Sequence, residues 1–123
     1  MKIYLVNRKN YKWELHEGTL EELKPELELR HIKISPTASI GNWASIGNYA
    51  SIGNEVRIGY MARIGDRASI GNYASIGNEV RIGYMASIGY MASIGNRARI
   101  GNKASIGAGE KYQKCKKQRN NNE

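Results

Sequence analysis

The pattern of apolar and polar positions is strictly periodic over most of the chain. From Ala38 to Gly109 an Ile returns every sixth residue, at 40, 46, 52, 58, 64, 70, 76, 82, 88, 94, 100 and 106. Two places before each Ile stands a small apolar residue, Ala in ten hexads and Val at 56 and 80. Ser or Arg lies between them, and Gly follows every Ile. Apolar–polar–apolar is strand alternation, with Ala and Ile on one side and Ser or Arg on the other. The strand must stop there, because Gly and usually Asn come next. Gly frees the backbone to bend, and Asn tolerates the left-handed region. Each hexad therefore predicts one short strand and one corner. A helix is excluded, since a period of six does not fit 3.6 and each interior Gly costs about 1 kcal/mol relative to Ala. Twelve in-phase Ile residues also exclude disorder.

The flanks read differently. "KIYLV", "NRKN" and "YKWEL" predict a β-hairpin with a polar loop. Thr19 to Glu22 has capping-box spacing, so a short helix follows, limited by Pro25. "LELRHIKI" predicts a further strand, and Ser35-Pro36 marks a boundary. The expected organisation is an N-terminal cap over 1–37, the repeat over 38–109, and a basic tail over 110–123, partly disordered.

Short strands and corners at a fixed period stack into a parallel β-helix. The motif Ile-Gly-x-x-Ala-x resembles that of the hexapeptide-repeat superfamily, which includes hexapeptide acyltransferases. The resemblance covers the twelve hexads of the 123-residue chain. It implies an all-β fold, a left-handed parallel β-helix of about four triangular coils with three hexads per coil. It also implies a homotrimer. For the enzymes of the family it implies coenzyme A or acyl carrier protein and a His general base in a cleft between subunits.

Three hexads per coil stack residues eighteen apart, which sorts the outward positions by face. One face then carries Arg63, Arg81 and Arg99 in successive layers, a candidate anion site. Large residues at corner positions, namely Trp43, Tyr49, Tyr60, Met61, Tyr84, Met85, Tyr90 and Met91, are interface candidates. One segment, "ASIGNYASIGNEVRIGYMA", occurs at 44–62 and again at 68–86. That offset of 24 puts the copies on different faces, the mark of a duplicated folding unit. Glu55 and Glu79 precede Arg57 and Arg81 by two residues, a spacing for local pairing.

Charge and chemistry narrow the function. The net charge of +8 divides as +1 over 1–37 (seven Lys/Arg, six Asp/Glu), +4 over 38–109 (seven and three) and +3 over 110–123 (five and two). The excess permits an anionic ligand; nucleic acid and membrane are not expected partners. The lone Cys115 excludes an intrachain disulfide and a multi-cysteine metal site, and fits a reducing compartment. No apolar run nears the roughly 20 residues of a membrane span, and "MKIYLVNRKN" is no signal peptide, so a cytoplasmic location is expected. The repeat contains no His; the two in the chain are His16 and His31, too few for a three-His zinc site. The reading is a noncatalytic structural or interaction module that associates with itself, with no cofactor or metal. The alternative is an acyltransferase-like enzyme with His31 or His16 as base. A second alternative is binding of an anionic polymer through the arginine ladder.

Overall fold

The computed structural model describes residues 1–113. The hairpin forms as β1 (Lys2–Val6) and β2 (Trp13–Glu17), and the helix as α1 (Leu20–Leu29). Strands of two or three residues follow: β3 (Lys33–Ile34), β4 (Ser39–Ile40), β5 (Ala44–Ile46), β6 (Ser51–Ile52), β7 (Arg57–Ile58) and β8 (Arg63–Ile64). The series continues with β9 (Ser69–Ile70), β10 (Ser75–Ile76), β11 (Arg81–Ile82), β12 (Ser87–Ile88), β13 (Ser93–Ile94), β14 (Arg99–Ile100), β15 (Ser105–Ile106) and β16 (Lys111–Tyr112).

These strands make three sheets, in the orders β2-β1-β5-β8-β11-β14, β4-β7-β10-β13-β16 and β3-β6-β9-β12-β15. Apart from the antiparallel β1–β2 pair, every pairing is parallel. Within the repeat each strand pairs with the one eighteen residues on, as Ile46 with Ile64, Ile64 with Ile82 and Ile82 with Ile100. The repeat is thus a three-sided β-solenoid of about four coils. Ala and Ile fill its interior as one continuous cluster, and Ile64 and Ile88 are only 1% and 2% exposed.

The N-terminal segment is built into this stack. Ile3 and Leu5 lie over Ala44 and Ile46, and β3 lies over β6, so two of the three sheets begin outside the repeat. Helix α1 buries Leu23 and Leu27 against the same core. The capping box at its start is complete: Glu22 N–H donates to Thr19 Oγ1, and Thr19 N–H to the Glu22 carboxylate. The helix runs through Pro25 to Leu29 rather than stopping there. One missing N–H does not end a helix that is capped and anchored by two buried leucines. The strand expected over Leu27–Ile34 shrinks to Lys33–Ile34. Arg30 instead closes the helix, its N–H donating to the Leu27 carbonyl, and His31 turns the chain at φ 57°. At the far end β16 pairs with β13, so the solenoid runs past Gly109, where the tail was expected to begin. Residues 114–123, with Cys115 and the predicted disorder, lie outside the described residues.

The corners differ from the sequence reading in an instructive way. The left-handed residue is the second one after Gly, whether Asn precedes it, as at Trp43 and Tyr49, or Tyr or Asp does, as at Met61, Arg67 and Met85, with φ between 59° and 69°. Asn serves another purpose, since its Oδ1 accepts the backbone N–H of the residue eighteen positions earlier. Asn72 accepts from Asn54, Asn78 from Tyr60, Asn96 from Asn78 and Asn102 from Tyr84, at 2.8–2.9 Å. Asp66 does the same for Asn48. The Gly after Ile is not left-handed in any coil. It is required because coils approach closely there: a Cβ on Gly41 would lie 2.5 Å from the Tyr60 nitrogen.

Candidate functional site

Three features gather the polar and exposed side chains. The first is a groove of about 1030 Å³ between α1 and the top of the solenoid. Leu20, Leu27, Ile32 and Ile34 give it an apolar lining, with Lys24 and Lys33 among its polar residues. His31 also lines this groove, placed there by the turn that ends α1. Its exposed ring stacks on Tyr49 at 4.8 Å between centroids, and the Arg67 guanidinium lies 4.5 Å from the same Tyr49 ring. His, Tyr and Arg thus line one corner of the prism, eighteen residues apart.

His16 is elsewhere, on β2, and is not among the residues lining the groove. Its Nε2 is 3.0 Å from Glu14 Oε1. Glu14 also accepts from the Asn7 amide at 3.0 Å and has the Arg30 guanidinium 3.6 Å away. The hydrogen bond from Asn7, then that from His16, holds the Glu14 carboxyl below its ordinary pKa. Arg30 is buried and fully engaged, donating to the Val6 and Glu26 carbonyls at 2.7 Å and to the Glu26 carboxylate at 2.9 Å. This cluster ties the hairpin to the helix. Sequence reasoning did not single out Glu14 or Arg30, because their neighbours come from three different elements.

The second feature is the arginine face. Arg63, Arg81 and Arg99 sit in register on β8, β11 and β14, all exposed. The pairing expected between Glu79 and Arg81 does not form; Glu79 instead lies 3.9 Å from Arg97. Glu79 stands outside the strand, at a left-handed corner with φ 58°, so it does not share a strand face with Arg81 and meets the corner residue of the next coil instead. The third feature is the exposed corners. Trp43, Tyr49, Tyr60, Met61, Tyr84, Met85, Tyr90 and Met91 are 38–54% exposed. Tyr73, at 54%, joins them and meets Tyr90 edge to face at 5.9 Å. Trp43 lies 6.2 Å from Tyr4, beside the exposed Trp13 and Leu15 of the hairpin.

Among the described residues no group of three His, Cys, Asp or Glu is placed to hold a metal ion. Among these residues no helix is long and apolar enough to cross a membrane either.

With this geometry in view, the chain can be compared with known proteins. No protein-family model matches the sequence, and no curated protein does either. Solved structures do match. PerB from Caulobacter crescentus, in complex with CoA and GDP-perosamine, is 20% identical with a TM-score of 0.57, over 67% of this chain and 47% of that one. Serine acetyltransferase isoform 3 from Entamoeba histolytica, in complex with cysteine, is 22% identical with a TM-score of 0.50, over 84% of this chain and 42% of that one. This chain folds as a hexapeptide-repeat β-helix. The hexapeptide-repeat chain covers less than half the length of either neighbour, and at this identity the likeness is one of fold.

Proposed function

We propose that the chain works as an assembled β-helix, a homotrimer whose contacts include the tyrosine–methionine corners. One observation carries this. At Tyr60, Tyr84 and Tyr90 the chain lacks the Asn that elsewhere accepts an N–H from the preceding coil. Each omission forgoes a hydrogen bond of about 0.5–1.5 kcal/mol and leaves a Tyr-Met pair at the surface. Folding of one chain alone favours Asn at all three, whereas aromatic residues and Met favour interfaces. Tyr90 and Met91 share with Tyr73 the corner opposite the arginine face, and Tyr60-Met61 and Tyr84-Met85 lie on the two corners that flank it. Light scattering tests the assembly. The expected mass is three times the 13.8 kDa of one chain. The triple variant Tyr60→Asn, Tyr84→Asn, Tyr90→Asn should dissociate yet stay folded. A wild-type protein that is monomeric at micromolar concentration overturns the proposal.

Two readings of what the assembly does have support. The structural neighbours favour acyl transfer, since one was solved with CoA and the other is a serine acetyltransferase. In this reading His31 is the general base at the groove, whose charged lining is Lys24 and Lys33 together with Glu21 and Glu28. His16, hydrogen-bonded to Glu14, is the other candidate base. The noncatalytic reading draws on the repeat itself, whose twelve hexads follow one another with no inserted loop to wall off a site. Thiol release from acetyl-CoA across a panel of amine and hydroxyl acceptors separates them. Acyl transfer predicts release that His31→Ala abolishes; no release with any acceptor favours the noncatalytic module.

A further inference from the structure

We infer that the arginine face is a binding site for a linear phosphate polymer lying along the prism axis. Arg63, Arg81 and Arg99 occupy one column on adjacent strands, so their Cα atoms are spaced by about 4.8 Å per layer. Like charges directly opposite each other on a sheet are unfavourable. The fold does not require them, since the serine face has Ser51, Ser69, Ser87 and Ser105 in the equivalent column. A ligand of opposite charge turns that repulsion into affinity, and the guanidinium fork can bind phosphate through two hydrogen bonds.

The neighbouring corners reinforce the column. Arg67 and Lys103 lie on the corner after this face, and Arg97 on the corner before it. Six of the seven cations of the repeat therefore line one side, and only Arg57 lies elsewhere. Two acids share those corners and are occupied: the Asp66 carboxylate accepts the Asn48 N–H, and Glu79 lies against Arg97. No carboxylate of the described residues lies within 4.0 Å of a ladder guanidinium.

Duplication does not account for this. The 24-residue repeat relates Arg57 to Arg81, on different faces. The positions it relates to Arg63 and Arg99 are Ser87 and Ser75. Those to Arg67, Arg97 and Lys103 are Met91, Tyr73 and Glu79. Arg81 is the copy of Arg57, but the other five cations stand where the chain departs from its own repeat, and those departures converge on one face. A single line of charge across successive coils fits a thread rather than a plane. Inorganic polyphosphate and single-stranded nucleic acid share the phosphate chemistry this column recognises.

The test is salt-dependent binding of a fluorescent oligo-dT, with inorganic polyphosphate as competitor. Two charge-matched variants are compared, Arg63→Ser/Arg81→Ser/Arg99→Ser and, in the hairpin loop and its flank, Arg8→Ser/Lys9→Ser/Lys12→Ser. Circular dichroism confirms that both fold, as expected where Ser already occupies the column and the loop is exposed. Each phosphate contact on a single strand contributes about 0.7 to the slope of log K against log salt. The ladder variant should lower that slope by about 2, so wild type loses about sixteen-fold more affinity between 50 and 200 mM salt. The hairpin variant should keep the wild-type slope. Equal loss in both variants, or no binding of either polymer at 50 mM salt, overturns the proposal. Given a ladder effect, tighter binding of polyphosphate than of the oligonucleotide assigns the inorganic ligand, and the reverse order assigns nucleic acid.

Discussion

At Gly65 an added methyl would lie 2.7 Å from the Gly83 carbonyl carbon, whereas at Gly101, in the last coil, it would meet nothing within 4 Å. The same residue in the same motif thus has different value by position. Gly65→Ala should destabilise by about 2 kcal/mol or more, because backbone must move. Gly101→Ala should stay within about 0.5 kcal/mol. Urea unfolding of the two variants checks this, and equal effects would refute the close-approach account. Asn78→Ala removes the acceptor for Tyr60 N–H and should cost about 1 kcal/mol in the same assay. The exceptions in the Asn columns have local causes. Asn54 faces Pro36, which has no N–H, and accepts from the Ser35 hydroxyl instead at 2.5 Å. Asn48 faces Arg30, whose N–H is committed to the helix end, and its Oδ1 is buried without a partner. The period of the corner was visible in the sequence. The separate duties of its residues were not, because both the Asn bond and the Gly contact reach into a neighbouring coil.

The hairpin and helix hold the top of the solenoid by ordinary local rules. Thr19→Ala removes the hydroxyl that accepts the Glu22 N–H, one of the two hydrogen bonds of the capping box, and should lower stability by about 1 kcal/mol, measured by thermal melting. Hairpin and helix meet at Glu14, whose carboxylate is favoured by the Asn7 amide, His16 and Arg30. A carboxyl with a depressed folded-state pKa stabilises the protein above its unfolded pKa. That contribution disappears as pH falls through the lower, folded value. The stability gap between wild type and Glu14→Gln should therefore be constant at neutral pH and close in acid, below the ordinary carboxylate range. A gap independent of pH would show that Glu14 acts only by packing. Strand β1 was legible to the residue from its alternation. The helix end was not, because the apolar run beyond Pro25 suits either element and only burial of Leu23 and Leu27 decides between them.

For the whole molecule, a solenoid is stabilised by contacts between neighbouring coils, so coils are close to independent additions. Removing residues 56–73 deletes one full coil and keeps every later strand on its original face. Such a variant should fold cooperatively with lower stability, read as a lower melting temperature with the β signal retained. Failure to fold would contradict the nearest-neighbour picture. The trimer and the phosphate site also belong to this scale, since both depend on which corners and faces align. The sequence by itself determined the period, the inward Ala and Ile, the outward Ser and Arg, and hence the β-solenoid. These follow from one hexad repeated, and a hexad carries its own strand and corner. The tertiary structure alone decided that the N-terminal strands enter the sheets, that His16 and His31 occupy separate environments, and that His31, Tyr49 and Arg67 line one corner. Those outcomes depend on the eighteen-residue turn of the solenoid, which brings together residues that no local pattern connects.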